Sequence, residues 1–256
     1  MIMRKAIAVT GLCALPFVAS CGGGEAPTTE APAAAPTAEA AAPAATGTAS
    51  ITGKVSFEGT VPPGEKIKLN ADPKCAEMHK GGLERQPIHV TDGGLGDVLV
   101  YVKSPVSGTF AAPADAVTLD QKGCDYTPHM VTVRAGQGLK IRNSDDTLHN
   151  IHPRPTANEE FNFGQAKQGM EKVRTFDKAE VMIPVGCDVH PWMRAYISVF
   201  SHPFYTVTKE DGTFEIKGLP AGEYEIEAFH GKLKNQAQKV TVKDGEAAKL
   251  DFSFKG

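Results

Sequence analysis

From Ser50 to the C-terminus, the chain is a succession of short segments in which apolar and polar residues alternate. Segments such as ITGKVSFEG, DVLVYVKSP and GTFEIKG are bounded by glycine, proline, aspartate or asparagine. Alternation over about four to eight residues is typical of strands with one buried face, because successive side chains point to opposite faces of a sheet. No segment has a sustained helical period of about 3.6 residues. The pattern therefore predicts an all-β fold, built of sandwiches.

The N-terminus carries export and tethering signals. Residues 1–20 combine Arg4 and Lys5 with a short apolar run, which is typical of a secretory signal peptide and too short to span a bilayer. The run ends in VASC, which resembles a bacterial lipobox in which Cys21 is lipidated; ordinary cleavage nearby is the alternative. Residues 21–48 are almost all Ala, Pro, Thr, Gly and Glu, so we predict a disordered tether. We expect anchoring in the cell envelope, at the periplasmic face of the outer membrane or at the cell surface.

Near the C-terminus, the stretch YTVTKEDGTFEIKGLPAGEYEIEAFHG contains strand patterns joined by turns at Asp211-Gly212 and Leu219–Gly222. This stretch resembles the carboxypeptidase regulatory-like (transthyretin-like) domain. Members of that family begin with a strand such as ITGKVSFEG, which here lies far upstream. The resemblance implies one discontinuous sandwich of residues 49–105 and 203–256, with residues 106–202 inserted as a second sandwich. Two consecutive domains are the alternative.

The segment GCDVHPWMRAY places Cys187, His190 and Met193 at intervals of three residues. Pro191 disfavours a helix here, because an interior proline removes a hydrogen bond and clashes with the preceding turn. A loop between strands can bring the three side chains to one point. Thiolate, imidazole and thioether are the ligand types of a blue-copper centre, which also requires a second histidine. The segment KIRNSDDTLHNIH offers His149, after a predicted turn.

The C-x2-H-P-x-M spacing and the upstream His-Asn-x-His run resemble the cupredoxin family, and within it the amicyanins. The resemblance covers roughly residues 112–200 and implies a Greek-key β-sandwich with one type 1 copper ion. The implied ligands, three equatorial and one axial, are His149, Cys187, His190 and Met193. Asn150 would hydrogen-bond to the thiolate from outside the ligand set. His152, on the opposite face of the strand, would not be a ligand.

The cysteine count bears on the same site. Of the five cysteines, one lies in the signal peptide and one is the lipobox cysteine, which leaves Cys75, Cys124 and Cys187. An odd number of thiols in an oxidising compartment requires an explanation. A disulfide between Cys75 and Cys124 would leave Cys187 free to bind metal. The alternative is a second metal site, in which these two cysteines join His79 and His129 in a Cys2His2 set.

Together these features predict a membrane-tethered copper protein that carries single electrons in the cell envelope. We expect the His190 imidazole, on an exposed loop beside Pro191 and Trp192, to be the exit for electrons, with redox protein partners docking weakly through an apolar patch around that loop. Copper delivery is one alternative, and a surface scaffold with a degenerate copper site is another. The net charge of −3 and the lack of Lys or Arg blocks do not indicate a nucleic-acid partner. No nucleophile or paired-carboxylate motif has a supporting context, so we expect no enzymatic activity.

Overall fold

The computed structural model describes residues 47–69 and 72–256, which are almost entirely β-structure. The first part of the chain forms β1 (Ala49–Glu58), β2 (Glu65–Ile67), α1 (Pro73–Met78), β3 (Leu83–Arg85), β4 (Val90–Thr91), β5 (Gly94–Leu95) and β6 (Leu99–Val102). The middle part forms β7 (Val117–Gln121), β8 (Tyr126–Thr127), β9 (Met130–Arg134), β10 (Leu139–Asn143), β11 (His149–Pro153), β12 (Phe163–Gln165), β13 (Glu171–Arg174), β14 (Glu180–Gly186) and β15 (Arg194–Phe200). The last part forms β16 (Tyr205–Val207), β17 (Thr213–Leu219), β18 (Gly222–Phe229), β19 (Gln236–Val242), β20 (Ala247–Lys249) and β21 (Phe252–Lys255).

The predicted all-β fold class is confirmed. The predicted signal peptide (1–20), Cys21 and all but the last two residues of the predicted tether (21–48) lie outside the described residues. Within the described part of the chain, no helix is both long enough and apolar enough to cross a bilayer.

Strand β1 organises one of two sandwiches, which we call the terminal sandwich. It pairs antiparallel with β17 and β5, and parallel with β20 and β21. The opposing sheet has the order β16-β6-β18-β19. Buried side chains of both sheets, such as Ile51, Ile226 and Phe254, belong to one core. The first and last parts of the chain therefore share both sheets, while the limits at residues 105 and 202 stay a prediction.

The alternation read in ITGKVSFEG corresponds to the packing of β1. Ile51, Val55 and Phe57 are buried, and each such side chain contributes roughly 1.5–3 kcal/mol by its burial. Gly53 is required by close approach, because a Cβ atom there would lie 1.7 Å from the Leu250 carbonyl oxygen. Gly212, in the predicted Asp-Gly turn, has a φ of +78°, which favours glycine.

The middle sandwich brings the site segments together. Its sheets have the orders β13-β10-β7-β8 and β12-β11-β14-β15-β9, and a core of buried residues lies within it. Strand β11 runs antiparallel to β14, with His152 opposite Gly186. This register places His149, at the start of β11, beside the loop that follows β14.

A third group of elements lies between β1 and β4 in the chain. It consists of the β2–β3 pair and α1, and we call residues 65–69 and 72–85 the cover. Its buried Leu69 and Cys75 cluster with Cys124 of the middle sandwich, and Trp192 packs against them. The cover therefore belongs in sequence to the first part of the chain but packs on the middle sandwich.

Candidate metal centre

Three of the four predicted ligands converge in the middle sandwich. One ligand atom each of His149, Cys187 and His190 lies within 4.8 Å of the other two. The Nδ1 atoms of the two histidines are 3.0 Å apart, and the Cys187 Sγ is 3.9 Å from Nδ1 of His190. The exposed fractions of the three residues are 0%, 4% and 0%. A buried group of two imidazoles and a thiol results.

The C-terminal ligands lie on a loop between β14 and β15, as Pro191 predicts. The loop is closed by backbone hydrogen bonds from Met193 N to His190 O (2.9 Å) and from Cys187 N to Met193 O (3.3 Å). The His190 backbone N–H donates to the Cys187 sulfur at 3.3 Å. Met193 is fully buried and belongs to the same core cluster as Cys187. The fourth predicted ligand thus ends the loop that carries the other two.

The upstream histidine is positioned by a turn that Asn143 stabilises. The Asn143 side chain accepts a hydrogen bond from the Asp145 N–H and donates one to the Thr147 carbonyl. Asp145 is thereby directed inward, where its Oδ2 accepts from Cys124 N and from His149 Nε2, both at 2.8 Å. The turn therefore fixes a carboxylate behind the first ligand.

Each ligand histidine has a carboxylate on its outer nitrogen. His149 Nε2 lies 2.8 Å from Asp145 Oδ2, and His190 Nε2 lies 2.9 Å from Asp72 Oδ2. An ionised carboxylate can only accept, so each Nε2 carries a proton. Each Nδ1 then faces Cys187, to which it donates a hydrogen bond when it is also protonated. Such partners fix the tautomer and orientation of metal-binding histidines and raise their basicity.

The thiol is held in its metal-binding form. Burial raises the pKa of Cys187, but hydrogen bonds from His149 and His190 outweigh burial and lower it to about 6. Burial lowers the pKa of His149, but hydrogen bonds to Asp145 and Cys187 raise it to about 8. The thiolate, which is the form that binds metals, therefore predominates at neutral pH.

The loop is exposed at Asp188, Val189 and Pro191, as expected, but the His190 imidazole that was expected to be the exit for electrons is buried. Its residue exposure is 0%, and its Nε2 is bonded to Asp72 of the cover. The imidazole also lies against the Trp192 ring, with 5.0 Å between the ring centroids. The physical reason is that the cover packs over the end of the middle sandwich where this loop emerges.

The predicted hydrogen bond from Asn150 toward the thiolate comes from its backbone and not from its side chain. Asn150 instead accepts from the Asp188 N–H at 2.9 Å and donates to Asn162, so its amide ties the ligand loop to the β11–β12 region. The backbone N–H of Asn150 hydrogen-bonds to the Cys187 sulfur and lowers its pKa. His152 lies outside the ligand group, and its ring bonds to Glu160 and Asp188.

The two remaining cysteines of the described chain, Cys75 and Cys124, form a disulfide with a Cα–Cα distance of 5.8 Å. Cys187 is the free cysteine among the described residues. The alternative Cys2His2 site of Cys75, Cys124, His79 and His129 is not formed among the described residues. His79 Nε2 bonds to the Gly123 carbonyl at 2.8 Å, and His129 packs edge-on against Tyr196.

The donor set fits copper. Two imidazole nitrogens and a thiolate match the His2Cys part of a blue-copper site, and the buried Met193 at the end of the same loop is the candidate for its weak axial ligand. Zinc sites are instead completed by further Cys, His or carboxylate ligands. The carboxylates nearest to this group, Asp72 and Asp145, bond to the outer nitrogens of the histidines.

Sequence reasoning missed three residues that support the site: Asp72, Thr147 and Asp145. Asp145 lies in the predicted turn before His149, four positions upstream of it, but a turn pattern does not indicate that its carboxylate bonds to the histidine ring. Asp72-Pro73 is an N-cap followed by proline at the first helical position, which is a start signal for a short helix. Nothing local, however, indicates that this helix would face the metal centre.

Comparisons with known proteins support the two predicted resemblances to different extents. Residues 190–255 match the family model of the carboxypeptidase regulatory-like domain, so that resemblance is confirmed over this range. The match begins before the predicted limit at 203 and does not include residues 49–105. No curated protein matches the chain in sequence.

Solved structures similar to the chain include amicyanin variants, a purple cupredoxin and a Cu-containing nitrite reductase. They include a methionine-to-alanine variant of amicyanin with Cu(I) (20% identity, 40% of this chain and 98% of that chain, TM-score 0.30). A purple cupredoxin from Nitrosopumilus maritimus is similar at 21% identity over 34% of this chain and 100% of that chain, with a TM-score of 0.29. A Cu-containing nitrite reductase from Thermus scotoductus SA-01 is similar at 22% identity over 39% of this chain and 26% of that chain, with a TM-score of 0.33. The chain thus spans about a quarter of the reductase, and the ligand assignment rests on the geometry described above.

Proposed function

We propose that the protein is a one-electron carrier of the cell envelope, with one type 1 copper ion held by His149, Cys187, His190 and Met193. The observation that supports it most is the convergence of two Nδ1 atoms and a thiolate in a buried site whose outer nitrogens are both fixed by carboxylates. When bound, a copper ion in such a site alternates between two oxidation states with little change of its surroundings.

The protein's contribution is a rigid, water-poor ligand set. Tyr126, below the site, donates its buried hydroxyl to the carbonyls of Asn150 and Gly186, which ties β11 to the start of the ligand loop. The turn at Asn143 and the loop hydrogen bonds hold the ligands from the other sides. Because these groups are already in place, each change of charge requires little reorganisation.

Redox partners would dock beside the ligand loop, although not on His190 itself. Leu148 and Val189 each directly precede a ligand histidine, and they are 43% and 39% exposed. Exposed apolar side chains near a buried redox centre suit a weak, transient contact. We propose redox proteins as the partners, with the chain held near the membrane through a lipid on Cys21 and the tether of residues 21–48.

Copper delivery is the second candidate, and the burial of the site argues against it. A delivery site must release its ion readily, whereas His149, His190 and Met193 are all fully buried. Release would require the ligand loop or the cover to open.

Titration of the purified protein with copper(II) tests the proposal. We expect one copper per chain, with intense visible absorption from the thiolate that disappears on reduction and returns on reoxidation. Cys187→Ser is expected to lose the absorption. Lack of colour in the wild type would contradict the electron-carrier function, and rapid loss of colour to a chelator would favour delivery.

A further inference from the structure

We propose that Asp72 is a positioning residue for His190, and that the cover closes the face of the metal centre through which this imidazole would otherwise reach solvent or a partner. The role toward copper rests on the proposed function. The closure itself concerns residues of the chain alone, so it is tested separately below.

Asp72 connects the cover to the site through its two carboxylate oxygens. Oδ1 accepts hydrogen bonds from the backbone N–H groups of Lys74 (2.7 Å) and Cys75 (3.4 Å), which caps α1. Oδ2 accepts from Thr147 Oγ1 at 2.8 Å and from His190 Nε2 at 2.9 Å. The carboxylate is therefore held by the cover through Oδ1 and by the middle sandwich through Oδ2.

All four hydrogen bonds of the Asp72 carboxylate are accepted ones, as suits an ionised carboxylate, so a negative charge lies next to the His190 imidazole.

The cover is fastened to the middle sandwich at several points. Cys75 is disulfide-bonded to Cys124, and the backbone N–H of Cys124 donates to Asp145, the carboxylate behind the other histidine. Arg85 bonds to the Trp192 carbonyl and to both carboxylate oxygens of Asp125, at 2.8 and 2.9 Å. The carboxylates of both ligand histidines are therefore connected through one disulfide.

This arrangement has a chemical consequence for the ligand. A carboxylate on Nε2 makes the imidazole a stronger donor at Nδ1, and an adjacent negative charge favours the more highly charged copper(II) over copper(I). Removing the charge while keeping the shape should therefore weaken copper(II) binding more than copper(I) binding. Loss of such a partner typically costs about 10- to 100-fold in metal affinity.

Asp72→Asn is the sharpest variant, because asparagine also caps helices and so preserves α1. We expect its copper(II) affinity to fall about 10- to 100-fold, its copper(I) affinity to change less, and its reduction potential to rise, with the thiolate absorption retained. Glu77→Gln is the control, since it removes the same charge from an exposed position on the same helix. Equal copper(II) affinities and potentials in the two variants would overturn the positioning role.

The closure is tested without metal. Diethyl pyrocarbonate acylates accessible histidine nitrogens, and mass spectrometry locates the product. In the metal-free wild type, we expect His190 to react at least about tenfold more slowly than His89, whose side chain is 54% exposed, because reaction requires the cover to open. Asp72→Ala, or reduction of the disulfide, should increase the acylation rate of His190 and leave that of His89 unchanged.

Equal rates at His190 and His89 in the wild type would overturn the closure. If copper does not bind the wild type but His190 is protected, the proposed function fails and the closure stands. If copper binds and His190 is modified as fast as His89, the proposed function stands and the closure fails.

Discussion

The Nδ1 atom of His149 lies 3.0 Å from the Nδ1 atom of His190, although the two residues come from different segments of the middle sandwich. Their other ring nitrogens face two separate carboxylates, so the inner nitrogens lie beside the Cys187 sulfur, where the proposed copper ion would replace any proton they carry. The proposed site therefore depends on both rings, and it makes His149, but not His152 of the same HNIH run, a ligand.

His149→Gln is expected to lower copper(II) affinity by at least about 100-fold and to abolish the intense visible absorption, because the residue is an equatorial ligand in the proposed set. His152→Gln, three residues further along β11, is the matched control. Its ring bonds to Glu160 and Asp188 outside the ligand group, so affinity and spectrum should not change. Copper titration followed by absorbance compares the two. A spectrum lost in the His152 variant alone would reverse the assignment.

Met193→Leu is expected to retain the colour and to raise the reduction potential. Leucine has a similar volume, so the buried loop keeps its packing, while the weak thioether bond to copper is lost. Electrochemical measurement of the potential decides the outcome, with Met170→Leu, at a 42% exposed position, as the control. A potential equal to that of the wild type would show that Met193 is not the axial ligand.

Removing the disulfide by the paired change Cys75→Ser and Cys124→Ser should lower the free energy of unfolding by roughly 4 kcal/mol, from the chain entropy of a loop with a sequence separation of 49. Urea unfolding of oxidised wild type and variant measures the difference. Reductant should shift the wild-type midpoint and leave the variant unaffected. A midpoint that is the same in all four samples would mean that the covalent link adds no stability.

Acid stability should depend on His230. Burial lowers its pKa to about 4, with smaller effects from Asp97, His129 and His89. His230 binds a proton near pH 6.5 in the unfolded chain but only near pH 4 in the folded chain. The contribution of His230 to stability is therefore constant above about pH 6.5, and roughly 3 kcal/mol of stability is lost through this group as the pH falls from there towards 4.

His230→Gln removes this titration and keeps an acceptor for the Lys232 N–H, which His230 Nδ1 accepts at 3.2 Å. The variant should lose less stability than the wild type between pH 7 and about pH 4, as measured by urea unfolding at each pH. Identical losses would indicate that His230 is protonated equally in both states.

Local sequence predicts those features of the molecule that depend on near neighbours. The alternation around Ile51 specifies a strand and its buried face, because both follow from the period of the backbone. Pro191 specifies a loop, because its ring cannot continue a helix. The same reasoning could not find Asp72, which bonds to His190 across a sequence separation of 118. That contact depends on which surface covers the end of a sandwich, and an alternating pattern carries no information about it.

The Asn150 side chain illustrates a second limit. The sequence predicted a hydrogen bond from Asn150 to Cys187, and the backbone N–H of Asn150 makes that bond. The direction of the amide depends on competition between hydrogen-bond partners, and the Asp188 N–H and Asn162 provide better ones than a single sulfur.

The pairing of β1 also limits the order in which parts of the chain can fold when the N-terminal residues become available first. Residues of β1 are among the first of the folded part to arrive, yet Phe57 pairs with Phe254 close to the C-terminus. The middle sandwich, whose strands lie between β6 and β16, can close before that. Contacts between distant parts of a chain form late because their loops are costly to close. The residues of the proposed copper site can therefore come together while β1 still lacks its late partners β20 and β21.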